Sequence, residues 1–263
     1  MYPSIEIKCD AGPGFDLVRA TDVSEEARPF GPDTGGLEAL RFDPGRGGSV
    51  ADRVHGVLRA AIVEVRLAPG TPISENSICR QFSVSRTPVR AAIQRLSEEG
   101  LVDVSPQRGS FVAPLRIDGL RDSHFIRRSL ELAILREVAG IWTEEMSAEM
   151  RAIIEDQARV IEAGNHDGFF EEDERFHHRL ATFCGRDGVW EAIRGAKVTM
   201  TRFYRYWAHP ERLAEVLREH GAVIDALDTG DAQEAERALS LHLDVVFNVF
   251  DRMSEEERRN LPA

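Results

Sequence analysis

Beyond residue 116 the apolar spacing of this chain stops changing. From about 117 to 252, hydrophobic residues recur every three or four positions, and no alternating stretch reads as a strand. Gly164, the turn from Gly185 to Gly188, Pro210 and Gly230 punctuate the pattern. They divide it into about six helices, near 117–140, 143–163, 166–184, 187–208, 210–228 and 231–252. Amphipathic helices without a sheet can bury their stripes only against one another. The spacing therefore predicts an all-α bundle over residues 116–253 and excludes a sheet-based fold for more than half of the chain.

Residues 49–115 follow another pattern. Val50, Val54, Val57, Leu58, Ala61, Ile62 and Val65 mark a helix that stops before Pro69-Gly70. Ser74 is placed to cap a short helix carrying Ile78 and Phe82 on one face. After the turn at Ser83-Val84, Ser85 is placed to cap a second helix, which tolerates Pro88 in its first turn and closes at Gly100. Leu101–Val104 and Ser110–Ala113, joined by the turn at 106–109, read as a hairpin. This order is that of a winged helix-turn-helix. The fold class is thus mainly α, an N-terminal winged helix-turn-helix followed by an all-helical bundle. Residues 1–48, with 8 Gly and 5 Pro and no sustained apolar period, read as a disordered tail. A chain beginning near residue 46 is then expected to fold and bind its partners like the full one. Residues 254–263 read as a short C-terminal tail.

No apolar run approaches the roughly 18–20 residues that a membrane span needs, so no membrane partner is expected. The three cysteines, Cys9, Cys79 and Cys184, are far apart and fit a reducing cytoplasm rather than a disulfide framework. The net charge is −12, yet residues 49–115 carry eight basic against six acidic residues. An acidic protein can still bind nucleic acid where its arginines gather on one face. In the helix after Ser85, Val89, Ala92, Ile93 and Leu96 form the inward stripe, while Arg86, Thr87 and Arg90 lie near the N-terminal end. A recognition helix in the major groove needs this division, and the arginine fork suits guanine. Arg108 and Gly109 fall at the hairpin tip.

The stretches Ile73-Ser-Glu-Asn76, Phe82-Ser-Val-Ser-Arg-Thr-Pro-Val-Arg90, Arg95-Leu96, Glu99-Gly-Leu-Val102 and Arg108-Gly-Ser-Phe-Val112 resemble the DNA-binding domain of the GntR family of bacterial transcription regulators. The resemblance implies that Arg86, Thr87 and Arg90, with Arg108 and Gly109 at the wing, contact double-stranded operator DNA. Many relatives carry a basic residue where this chain has Asn76, and Arg80, one turn on, is the expected substitute.

In the bundle, Asp173 and His177 are spaced i, i+4 and share one helix face, while His220 and His242 stand at largely apolar positions on two other helices. With Arg127-Arg-Ser-Leu-Glu131, Asp173-Glu-Arg-Phe-His177, Glu219-His220, Gly230-Asp231 and His242, the region resembles the FCD subgroup of the family. That resemblance implies a homodimer and a divalent metal held by Asp173, His177, His220 and His242. One carboxylate and three imidazoles suit zinc first, with nickel or manganese as alternatives. It also implies a small carboxylate effector held by Arg127, with Glu131 one turn on in the same effector-binding set. Arg202, Arg205 and Tyr206, on a later helix, are further candidates for the effector pocket, and the sequence does not decide between them. His178 points about 100° away from His177 and is excluded. His55, His124, His166 and His209 fall outside the pattern and are expected at the surface or in loops. Two rivals stand beside the non-enzymatic regulator: a metal-dependent hydrolase joined to a DNA-binding domain, and a constitutive DNA-binding protein without an effector.

Overall fold

A computed structural model of the chain describes residues 36–252 apart from Pro44, Arg46, Ala208 and His209; the expected C-terminal tail lies outside the described residues. The N-terminal unit is built from α1 (Val50–Val63), β1 (Pro72–Ile73), α2 (Glu75–Phe82), α3 (Arg86–Glu98), β2 (Val102–Ser105) and β3 (Gly109–Val112). Ser49 and Asp52 form a reciprocal capping box at the start of α1. The Ser74 hydroxyl accepts from the Ser77 amide at the start of α2. Ser85 precedes α3 as expected, but its side chain makes no capping hydrogen bond. Between α2 and α3, Ser83 takes up the left-handed conformation, with φ 54°, and so closes the tight turn of the helix-turn-helix. The hairpin pairs Val102 with Val112 and Ser105 with Gly109. The sheet has a third strand that the sequence pattern did not indicate: Pro72 and Ile73 pair antiparallel with Phe111 and Ser110. Val54, Leu58, Ile62, Val89, Ile93 and Leu96 form the core beneath.

The disordered-tail expectation fails for the stretch just before α1. Residues 37–39 form a single 3-10 turn, Leu40 is only 3% exposed, and Phe42 stacks on Phe82 with ring centroids 4.8 Å apart. The Gln81 amide of α2 donates to the Leu40 carbonyl at 2.8 Å. This segment is a strap across α2, and three apolar residues, Leu37, Leu40 and Phe42, were too few to register as a period. Residues 1–35 lie outside the described residues.

The rest is helical: α4 (Ile117–Ala139), α5 (Glu144–Glu162), α6 (His166–Phe183), α7 (Asp187–Ala196), α8 (Val198–Trp207), α9 (Pro210–Asp228) and α10 (Ala232–Arg252). The helix expected over 187–208 is two helices, broken at Lys197. The Lys197 amide still bonds Ile193, and its carbonyl starts the next helix through the Thr201 amide. Lys197 itself is buried, with Nζ 2.5 Å from Glu174 and above the Trp190 ring. α4, α6, α9 and α10 surround a core that includes Leu135, Val138, Phe176, Leu180, Val223 and Leu239. Within it, α9 packs on α5 and α10, and α4 on α10 and α6. The break redirects α8 so that it joins the two units. Val198 packs against the core of the N-terminal unit, and Met200 and Phe203 pack with Leu115, Leu120 and Val246.

Candidate metal centre and DNA-reading cleft

The four residues expected to hold a metal come together. Asp173 and His177 project from α6, His220 from α9 and His242 from α10, and one donor atom from each lies within 4.8 Å of all the others. His220 Nε2 is 3.7 Å and His177 Nε2 3.9 Å from Asp173 Oδ1. His242 Nε2 is 3.2 Å from His177 Nε2. Donors bound at about 2.0–2.2 Å around a single zinc ion sit about 3–4 Å apart, so these spacings fit an ion.

The opposite edges of the three rings are also provided for. His220 Nδ1 is 3.0 Å from Gln157 Oε1, and His242 Nδ1 is 2.8 Å from Glu219 Oε2. His177 Nδ1 lies 2.7 Å from Glu131 Oε2, close though not aligned as a hydrogen bond. Acceptors placed at Nδ1 fix the tautomer that leaves Nε2 bare, the usual support of a metal-binding imidazole. His220 Nε2 is fully buried and has no hydrogen-bond partner. Burial and the neighbouring His242, His177 and Arg127 all push the His220 pKa well below its usual value, and burial likewise lowers that of His242. Both rings are therefore held as neutral donors. Burial alone would raise Asp173, but the charges of His177 and Arg127 override it and keep the carboxylate ionised. A neutral, orphaned nitrogen beside an ionised carboxylate is the donor chemistry a divalent cation needs. His178 is turned away, stacked on Trp190 and 3.1 Å from Asp187.

Asp173 and His242 open onto a cavity of about 260 Å³. Arg127 lines it as expected; its Nε donates to Glu131 at 2.7 Å and its Nη2 lies 2.9 Å from His177 Nε2. Glu131 is buried, and although burial would raise its pKa, Arg127 and His177 hold it well below the usual carboxylate range. It therefore orients both neighbours. Arg202 is the correction. It does not line the cavity: its Nη2 donates to the Ala113 carbonyl at 2.5 Å, at the inner end of the wing, and the residue is 3% exposed. One helical turn from Arg202 to Tyr206 separates a residue facing the DNA-binding unit from its neighbours Thr201, Tyr204 and Arg205, which do line the cavity. Val63 and Glu64, at the end of α1, complete the wall. The cavity thus touches both units.

Spacing missed Lys197, Tyr204 and Arg212 in that wall and Gln157 behind His220. Glu219 had a signal, because it directly precedes His220. Arg212 had a fainter one, seven residues and two helical turns before Glu219. Nothing in the spacing pointed to Gln157. His55 and His124 are buried rather than superficial: His55 Nε2 meets Glu99 at 2.5 Å and His124 Nε2 meets Asp244 at 2.8 Å. His209 lies outside the described residues.

In the N-terminal unit, Arg86 and Arg90 from α3 share a cleft with Arg108 and Gly109 from the wing. Gly109 has φ +102°, a turn that a side chain would strain. Thr87 is exposed on the same helix start. Arg90 Nε is held 2.9 Å from Glu75, an exposed pair of the kind worth about 0–1 kcal/mol and so easily exchanged for phosphate or a base. Asn76 itself lines the cleft, whereas Arg80 does not and reaches only Ser77, at 3.4 Å. Arg80 is exposed one turn further along α2.

The sequence models for "Bacterial regulatory proteins, gntR family" and "FCD domain" match residues 50–112 and 122–245. The HTH-type transcriptional repressor RspR of Escherichia coli K12 is 34% identical over 208 residues, covering 79% of this chain and 91% of RspR. Among solved structures, a transcriptional regulator GntR from Rhodococcus sp. RHA1 superposes with a TM-score of 0.66 at 26% identity, covering 79% of this chain and all of that one. E. coli McbR/YncC shares the fold, with a TM-score of 0.64 at 20% identity over 78% of this chain and 99% of that one. Reading cleft and buried His/Asp cluster both lie within the matched segments, and the chain belongs to the GntR family of DNA-binding transcription regulators, with an FCD effector domain, and is not an enzyme.

Proposed function

We propose that this protein is a cytoplasmic, homodimeric repressor that binds a pseudo-palindromic operator and is controlled by a small carboxylate bound beside a divalent metal, zinc first. The observation that carries this reading is the convergence of three imidazole nitrogens and the Asp173 carboxylate at the wall of a cavity that Arg127 also lines. Zinc bound there supplies a Lewis-acidic position for a carboxylate oxygen. Arg127 supplies the complementary clamp, since its Nη1 is not engaged in any of its hydrogen bonds. Glu131 keeps that guanidinium in place. A ligand in the cavity meets Val63 and Glu64 of α1 and the inner face of α8, whose outer face holds the wing through Arg202. Occupancy can then bias how the reading unit sits on the sensor. Repression is the sign stated for RspR, the relative that matches over most of its length.

Homodimerisation is supported by large exposed apolar side chains on α4 and α10. Phe125 is 72% and Leu241 65% exposed, on the two helices that the Arg128–Asp244 ion pair ties together. Phe125→Asp with Leu241→Asp should reduce the sedimenting mass from twice 29.4 kDa to 29.4 kDa. A double variant that stays dimeric would move the interface elsewhere.

Operator reading is tested on a duplex recovered by in vitro selection with the full-length protein. Arg86→Ala and Arg90→Ala should each cost about 1–3 kcal/mol of binding. Neither should affect folding, since both side chains are exposed. Affinity should also fall with salt, with a log–log slope of about −0.9 per neutralised phosphate. Wild-type affinity in the double variant, or a complex insensitive to salt, would remove α3 from the interface.

A further inference from the structure

Besides Arg205, whose guanidinium is taken up by Asp167 and lies over the Phe170 ring, two arginines bear on the effector cavity, and of these only Arg127 belongs to the expected set. The other, Arg212, stands in the first turn of α9 and lines the cavity. Its Nη1 and Nη2 donate to the two carboxylate oxygens of Glu219 at 2.6 and 2.5 Å, and Nη1 also donates to Glu215 at 3.1 Å. A guanidinium has five N–H donors. Three are used here, and the Nε–H is buried without an acceptor. Beyond Glu219 the connection continues, because Glu219 Oε2 lies 2.8 Å from Nδ1 of the metal-site residue His242. A continuous path therefore runs from the cavity wall through Arg212 and Glu219 to the back of one imidazole.

Tyr204 of α8 lies within the field of both arginines. Burial pushes its hydroxyl up to about 12 even though Arg127 and Arg212 both pull the other way, so it is present as a neutral donor. The wall around these groups includes the apolar Phe169, Met200, Leu213 and Val216. A ligand with two acidic groups on a short hydrocarbon body finds a partner for each of its parts in that wall.

Resting on the metal-and-carboxylate reading above, we propose that Arg212 is a second anion-binding residue of the cavity, that the effector is accordingly a dicarboxylate spanning Arg127 and Arg212, and that its second carboxylate is coupled through Glu219 to the metal ligand His242. The sign of the coupling follows from the shared guanidinium. A carboxylate on Arg212 draws part of its charge away from Glu219. Glu219 is then the stronger acceptor for the His242 Nδ1–H, and the imidazole the better donor on its other side. Metal and dicarboxylate tighten each other's binding by the same factor. A monocarboxylate at Arg127 alone has no such path.

The test uses the full-length protein loaded with zinc, titrated with succinate and with acetate, and a chelator competition that reads zinc affinity with and without succinate. In the wild type, succinate should bind about tenfold or more tighter than acetate, the scale of a charge-assisted contact, and should raise zinc affinity several-fold. In Arg212→Gln the two acids should fall within about threefold of one another, and succinate should no longer affect zinc. Arg212→Lys keeps the charge but not the fork, so it should restore part of the preference without the coupling; it also carries the test should the glutamine variant not fold. Preference and coupling that survive both substitutions would overturn the proposal. Equal binding of the two acids by wild type would overturn the proposal and leave the carboxylate reading standing. Binding of zinc but of neither acid would overturn both.

Discussion

Protein purified without chelator or nickel resin should carry one zinc per chain, and His220→Ala should carry none. The expectation follows from what each side chain faces when the ion is absent. His220 Nε2 is buried without a partner, in a ring kept neutral by burial and its neighbours. An unpartnered buried polar atom costs about 1–3 kcal/mol, and one ion would engage it together with two further imidazoles and an ionised carboxylate. Binding to the folded form alone stabilises by mass action, about 2.7 kcal/mol when free zinc stands about 100-fold above its Kd. Wild type should therefore melt higher with zinc and lower with chelator, while His220→Ala should melt at one temperature in both. His220 also stacks on Phe176, with ring centroids 3.8 Å apart, so the alanine variant loses packing of its own. Asp173→Asn preserves the shape and removes the charge, and it separates the two effects. Elemental analysis and calorimetry are the measurements. Wild type free of metal and indifferent to zinc would make the four residues a polar core network instead.

The second large effect is expected at the strap. A chain starting at Gly36 should behave like the full one, but a chain starting at Ser49 should lose about 2–5 kcal/mol in its DNA-binding unit, and Leu40→Ala should lose a comparable amount. Leu40 is sealed into the core, Phe42 stacks on Phe82, and Gln81 donates to the Leu40 carbonyl. All three contacts end on or beside α2, the helix against which α3 is set. A domain's stability is only about 5–15 kcal/mol in total, so the loss should appear as a lower first melting transition and as weaker operator binding. Equal melting of the Gly36 and Ser49 chains would restore the expectation of a dispensable tail up to residue 48.

Legibility in the sequence followed the density of the signal. α3 was readable because Val89, Ala92, Ile93 and Leu96 keep strict helical spacing. The metal cluster was readable because Asp173 and His177 are one turn apart and the other two histidines stand among aliphatic neighbours. What escaped depended on contacts between distant segments. β1 is two residues long and exists only through its pairing with β3. The break at Lys197 has no proline or acid to announce it; a buried ammonium finding Glu174 decides it. Nothing in the spacing separates Arg202, Arg205 and Tyr206; of the three, Arg205 lines the cavity, while Arg202 lies on a face of α8 that packs on a unit about 90 residues earlier in the chain.

The Arg202 contact also bears on how such a regulator diversifies. Its acceptor is the main-chain oxygen of Ala113, and burial with little opposing charge lowers the guanidinium pKa to about 10. A grip on backbone does not read the side chain it holds. Substitutions in the wing and recognition helix can therefore redirect the operator while the attachment to the sensor stays the same. Grafting a different reading unit onto this bundle needs a carbonyl at the corresponding place, an apolar seat for Val198 and side chains that close the cavity as Val63 and Glu64 do. Sensor and reader are in this sense interchangeable parts, and chimeras joined just after residue 113 are the natural place to exploit it.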